Sequence, residues 1–178
     1  MSQQPLEMVM ESFGISPWEL EVAYGYFNSR FVIKQEVIEE SDPDFVSVLN
    51  IDIPLAFSED FFDWFEFKRW EKIKALFKEM KRRRGSKKAL KIQINFAGNP
   101  TISFIIDARD KQLYDNSVEK IDFVLELLPY HLDPEKLPEN VTHVLYRYDE
   151  KARRWRFSEA FVNDSKFAFK DDGWKKII

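Results

Sequence analysis

The sequence predicts an α+β fold, in which hairpins build one antiparallel sheet and two main helices cover one face of that sheet. Alternating apolar residues mark short strands, and these strand segments follow one another in pairs along the chain. Two other stretches repeat apolar residues every three or four positions, which is typical of amphipathic helices. The predicted order of elements is therefore ββαββαββ.

Three strand pairs are expected, over residues 30–53, 89–107 and 141–162, because apolar and polar residues alternate in each stretch. Residues 166–169 are expected to add a further short strand. Residues 18–27 fit either a short helix or a strand.

The first helix is expected over residues 59–84, because Ser58 is a good N-cap and Gly85 follows the basic end of the stretch. The second helix is expected over residues 116–128, with Ser117 as its cap. Apolar faces of strands and helices must cover each other, so they should share one core. The residues expected in this core are Ile73, Phe77, Ile92, Ile94, Phe104, Ile106, Ile121, Val124 and Leu128.

The strands that end at Asp52 and Asp107 resemble each other, and each precedes a helix. This similarity suggests an internal duplication of a ββα unit. The alternative is that any two hydrophobic strands look alike, and both interpretations stay open at this point.

The chain of 178 residues has the length of one domain. Residues 1–12 are expected to form a loosely ordered leader, and residues 13–178 a single α+β domain. The first twelve residues lack the features of a secretory signal, and no apolar run reaches the ~18 residues that span a bilayer. We therefore expect a cytoplasmic protein that does not enter a membrane.

The composition is rich in aromatic residues, at 16%, and in charged residues, at 33%, whereas glycine occurs five times. This balance suits either a thermophile or a charge-rich mesophile. Cysteine is absent, which excludes disulfides, cysteine-ligated metals and thiol catalysis.

Basic residues are concentrated in one part of a chain whose net charge is −4, because residues 66–91 hold twelve Lys or Arg and three Glu. A second basic group surrounds Trp155, which would suit stacking on unpaired bases. The alternative is a solvated helix end and a charged hairpin tip. The residues predicted to contact a polyanion are Lys81, Arg82, Arg83, Arg84, Lys87, Lys88, Lys91, Arg153, Arg154, Trp155 and Arg156.

The run of residues 61–67, FFDWFEF, holds more aromatic side chains than one helix face can bury. An exposed aromatic patch of this kind indicates a homodimer, with Phe61, Trp64 and Phe67 at the contact. The alternative is burial of the run beneath residues 13–27.

Chemical motifs are scarce. The chain has no GxSxG motif, no phosphate-binding loop and two histidines, His131 and His143, so we predict no catalytic residue, metal ligand or cofactor. The leading hypothesis is a non-enzymatic binding protein that contacts a protein partner or, weakly and without sequence preference, a nucleic acid. The alternative is a metal-dependent nuclease or another acid/base enzyme that uses Asp52 and Asp107 at strand ends.

Overall fold

Nine strands form one mixed sheet in a computed structural model, which describes residues 6–39, 43–85, 89–170 and 173–178. The strands are β1 (Leu6–Phe13), β2 (Phe31–Val37), β3 (Ser47–Ile53), β4 (Leu90–Phe96), β5 (Thr101–Ile106), β6 (His143–Asp149), β7 (Arg154–Val162), β8 (Ser165–Lys170) and β9 (Gly173–Lys176). The helices are α1 (Pro17–Asn28), α2 (Glu59–Phe65), α3 (Phe67–Arg84), α4 (Lys111–Glu119) and α5 (Leu128–His131), with a 3₁₀ helix over Asp122–Leu127 between α4 and α5.

The predicted antiparallel sheet of ββαββαββ order is wrong, because three of the strand pairs are parallel. The sheet order is β2-β1-β3-β4-β5-β6-β7-β8-β9, and the pairs β1/β2, β3/β4 and β5/β6 run parallel. Helical segments connect the two strands of each parallel pair, as a parallel crossover requires. The unit that recurs along the chain is therefore β-α-β, and the hairpin that the first suggested ββα unit requires does not form because β2 and β3 are not neighbours.

The first predicted hairpin, over residues 30–53, does not form, because β1 lies between β2 and β3 and pairs with both. The same pairing corrects the expectation of a loose leader. Residues 6–13 form a strand with Met8 and Met10 fully buried, while residues 1–5 lie outside the described residues. This strand contains two glutamates, a residue type depleted in strands, and one β-branched residue, Val9, so its local sequence is a weak strand signal.

The other two strand pairs are confirmed. Strands β4 and β5 are antiparallel neighbours, and so are β6 and β7. Strand β8 covers the short strand expected over residues 166–169, and residues 18–27 belong to helix α1.

The predicted long helix is divided in two at Glu66, whose φ of 77° is incompatible with a continuous α-helix. The second helix begins earlier than predicted, because Asp110 caps it by accepting a hydrogen bond from the Leu113 N–H group. It also ends earlier, at Glu119, and residues 122–127 form a separate 3₁₀ helix. Ser117 instead lies inside α4, where its hydroxyl donates to the Tyr114 carbonyl.

Strands and helices share one core, as predicted. Eight of the nine predicted core residues are buried in it, and Leu128 packs against it in a partly buried position. Most of the aromatic run belongs to this core, because Phe61, Phe62 and Phe65 are at most 3% exposed. No helix in the described part of the chain is long and apolar enough to cross a membrane.

Candidate functional site

Lys81, the first predicted polyanion contact, lies inside the protein. The residue is 0% exposed, and its Nζ atom lies 5.8 Å from the centre of the Tyr114 ring. Burial lowers the pKa of Lys81, and the charge of Arg109 lowers it further. The buried ammonium cannot touch an external polyanion. Lys87 and Lys88 lie outside the described residues.

Arg84 forms an ion pair with the buried carboxylate of Glu19. Its two terminal nitrogens donate to the two carboxylate oxygens of Glu19 at 2.6 and 2.7 Å, and its Nε donates to Ser47 Oγ at 2.8 Å. Arg83 lies 3.6 Å from the same carboxylate. Burial raises the pKa of Glu19, but the hydrogen bonds from Arg84 and Ser16 outweigh it and hold that pKa below its ordinary value. This cluster joins α1, α3 and β3.

The remaining predicted cations of this segment also contact groups of the protein itself. Arg82 donates from Nε to a Glu79 carboxylate oxygen at 2.8 Å, and its side chain is 66% exposed. Lys91 lies on β4, where its Nζ is 5.7 Å from the centre of the Phe45 ring. Among the described residues, Arg82, Arg83 and Arg84 at the end of α3 each have a carboxylate of the protein within 4 Å.

The second basic group, around Trp155, contains one buried residue and several exposed residues. Trp155 is 3% exposed, and its indole N–H donates to the Ser117 carbonyl at 2.9 Å, so this ring cannot stack on a base as predicted. Arg154 and Arg156 are exposed, because neighbouring residues of a strand point to opposite sides. Arg153 occupies the preceding turn with a φ of 54°.

A cavity of about 910 Å³ opens beside these arginines, between the connector after α4 and the last three strands. Arg154 and Arg156 of β7 line it together with several aromatic residues. Its lining residues are Leu127, Tyr130, His131, Glu135, Lys136, Arg154, Trp155, Arg156, Phe157, Phe169 and Trp174.

The aromatic wall of this cavity is continuous. Phe157, Phe169 and Trp174 contact one another with ring centres 5.2 to 5.6 Å apart, and the His131 ring centre is 4.1 Å from that of Phe157. Tyr130, at the mouth, is 67% exposed. The sequence alone does not bring these aromatic residues together, because they come from a connector and three different strands.

Positive charge dominates the same cavity. Arg154, Arg156 and Lys136 line it, against one carboxylate, Glu135. Arg156 also contacts Asp149 at 3.1 Å, which leaves its guanidinium half exposed. The cavity therefore offers both aromatic faces and cations to a ligand.

His131 is a neutral hydrogen-bonding group within the aromatic wall. Burial lowers its pKa to about 4, and the charges of Arg154 and Lys136 act in the same direction. Burial also raises the pKa of Tyr146, so the phenol keeps its proton, and its hydroxyl oxygen lies within hydrogen-bonding distance of His131 Nδ1, at 2.9 Å.

The two carboxylates proposed for an enzyme do not meet. Asp52 pairs in register with Asn95, whereas Asp107 follows β5 opposite Lys91, four residues away along β4. In this register the two residues are ~13 Å apart along the strands and ~10 Å apart across two strand spacings, so about 16 Å separates them. The described residues also contain no group of three or more acidic residues or histidines able to hold a metal ion.

Asp52 instead begins a chain of hydrogen bonds across four strands. Asn95 donates from Nδ2 to Asp52 at 2.6 Å, Ser103 donates to the Asn95 carbonyl oxygen, and His143 Nε2 lies 2.6 Å from Ser103 Oγ. The Asp52 carboxylate can only accept, so Asn95 presents its amide nitrogen to Asp52 and its carbonyl oxygen to Ser103. The Ser103 hydroxyl uses its one hydrogen on that carbonyl oxygen, so His143 must donate to Ser103. His143 therefore cannot accept the proton of Ser103, as a base activating a serine nucleophile would.

The three residues predicted for a dimer contact differ in their exposure to solvent. Phe61 is 3% exposed and cannot reach a partner, whereas Trp64 and Phe67 are 42% and 43% exposed. Trp64 lies under the Arg30 guanidinium at 5.8 Å, and Phe67 stacks on Phe62 with ring centres 5.3 Å apart.

Comparison of the chain with protein-family models, with curated proteins and with solved structures finds no match.

Proposed function

We propose that the protein binds unpaired nucleotides of a single-stranded nucleic acid in the aromatic cavity between the connector and the last three strands. The observation that carries this proposal is the continuous wall of His131, Phe157, Phe169 and Trp174 beside exposed arginines. Bases stack on aromatic side chains, and the adjoining phosphates attract cations.

Several properties of the cavity support weak binding without sequence preference. Stacking accepts every base, because each base has a π-face. Three cations against one carboxylate neutralise few phosphates, so we expect dissociation constants in the micromolar range or weaker at physiological salt. A volume of about 910 Å³ lies within the range of small-molecule sites and is large enough for a nucleotide.

The proposal retains Arg154 and Arg156 from the sequence-based hypothesis and replaces the stacking residue. Trp155 is buried, so the exposed ring of Tyr130 and the partly exposed ring of Trp174 take that role. The nuclease alternative depended on Asp52 and Asp107 acting together, and the register of β4 separates them.

The test is fluorescence anisotropy with labelled DNA and RNA single strands of about ten nucleotides and with a duplex of equal length, at about 50 and about 200 mM salt. Single strands should bind more tightly than the duplex. Tyr130→Ala and Trp174→Ala should weaken single-strand binding by about 5- to 150-fold each. Arg154→Ala should lower the slope of log affinity against log salt by about 0.7.

Matched controls come from residues that do not line the cavity. Trp18→Ala removes an aromatic residue that is 51% exposed, and Arg82→Ala removes an exposed cation, both far from the cavity in the chain. Neither control should change the affinity for single strands. Free mononucleotides serve as competitors and distinguish a nucleotide site from a strand-binding site. Absence of binding at the lower salt concentration, or loss of binding in the controls alone, would reject the proposal.

A further inference from the structure

A second groove, of about 920 Å³, lies on the other side of the same connector, between the start of α2 and the 3₁₀ helix. Its floor is apolar. Phe67 and Phe123 contribute exposed rings, at 43% and 59% exposure, and Leu125, Leu128 and Leu132 line the groove beneath them. Large exposed apolar side chains that adjoin one another usually mark a contact site for another molecule.

The charges around this groove have one sign. Carboxylates line it at Glu59, Asp122, Glu126 and Asp133, and among the described residues no lysine or arginine does. Asp122 already forms an ion pair with the buried Lys74, whose Nζ atom lies 3.1 Å from a carboxylate oxygen. The other three carboxylates have no ion-pair partner within the described part of the chain, so they can attract external cations.

The break between α2 and α3 creates this surface. Glu66 adopts a φ of 77°, which ends α2 and starts α3 in a new direction, so Phe67 begins α3 instead of continuing the buried face of α2. Phe62, underneath, supports the Phe67 ring by stacking. The aromatic ring is therefore fixed at the wall of the groove by a structured backbone.

We propose that this groove binds a basic amphipathic segment of a partner protein. Apolar side chains of that segment would enter between Phe67 and Phe123, and its lysine or arginine side chains would face Glu59, Glu126 and Asp133. An amphipathic helix in an apolar groove is a recurring mode of peptide recognition, and complementary charge raises the association rate and selects the partner. This proposal is independent of nucleotide binding.

The experiment is selection from a displayed library of random peptides on the immobilised full chain, followed by titration of the enriched peptides as synthetic, labelled probes. The enriched peptides should combine lysine or arginine with apolar residues at helical spacing. Phe123→Ala should weaken their binding by at least about 30-fold, as expected for a central aromatic contact. The double variant Glu59→Gln with Glu126→Gln should weaken binding at low salt and reduce its salt dependence.

Control variants keep this test specific. Val32→Ala removes an apolar residue that is 52% exposed elsewhere, and the pair Glu21→Gln with Glu139→Gln removes two exposed carboxylates outside the groove. These changes should leave peptide affinity unchanged. Because Phe123 is exposed, Phe123→Ala should fold normally, which circular dichroism verifies.

Three results would overturn the proposal. These are no enriched peptide, enriched peptides without basic residues, and binding that Phe123→Ala leaves unchanged. Self-association of the protein that Phe67→Ser abolishes, measured by analytical ultracentrifugation, would assign the groove to a second copy of the chain instead.

Discussion

The buried contact between Glu19 and Arg84 should be a principal source of stability at the end of α3. Glu19→Gln keeps the size of the side chain but removes the negative charge that faces Arg84. The guanidinium is 11% exposed, so water can replace little of the lost interaction. Breaking one partner of a buried ion pair costs about 3–5 kcal/mol, and we expect the lower end, about 3 kcal/mol, because Arg84 also donates to Ser47 and to the Met80 carbonyl.

The assay is urea denaturation followed by tryptophan fluorescence, with a thermal melt as a second measurement. For a chain of this size, about 3 kcal/mol corresponds to a fall in Tm of about 6–12 °C. Glu79→Gln is the matched control, because it removes the same charge from an exposed pair with Arg82 and should change Tm little. A loss for Glu19→Gln no larger than that of the control would refute the reasoning.

The same contact should make stability depend on pH. The folded-state pKa of Glu19 is held below its ordinary value, so its contribution is complete above the unfolded-state pKa and is lost as pH falls through the folded-state pKa. In Glu19→Gln this part of the acid sensitivity should disappear. Repeating the denaturation between about pH 3 and about pH 6 tests the sign.

Three further outcomes are expected. Trp155→Ala should destabilise the protein by about 3–5 kcal/mol in urea denaturation, because it empties a core position and removes the indole donor of the Ser117 carbonyl. Ser103→Ala should cost about 1–3 kcal/mol in the same assay, because it interrupts the hydrogen bonds to Asn95 and His143. Stability should fall as pH drops from about 6.5 towards about 4, since the unfolded chain protonates His131 first, and His131→Gln should reduce that slope in denaturation curves measured across this range.

Local signals predicted the elements better than their pairing. The cap at Ser58 and the glycine at position 85 placed the two ends of the long helical region, and alternation located β4 to β7. The pairing of β1 with both β2 and β3 depends on contacts between segments that are distant in the chain. No residue within β2 or β3 indicates that a third strand separates them.

The candidate site was likewise predicted where its signal is local, and missed where it depends on residues that are distant in the chain. The sequence identified the arginines at 154 and 156, because a run of cations is a local feature. It could not show that Lys81 and Trp155 are buried, since burial depends on the elements packed against them. The cavity wall combines residues from positions 130 to 174, and only the folded sheet brings them together.

The connector after α4 is a shared wall between two surfaces of opposite charge. Leu127, Tyr130 and His131 face the basic cavity, whereas Leu128 and Leu132 face the acidic groove. A ligand that shifts this segment on one side therefore changes the shape offered on the other. Thermodynamic linkage requires the effect to be mutual, so a peptide that alters the affinity for a nucleotide must have its own affinity altered by the same factor.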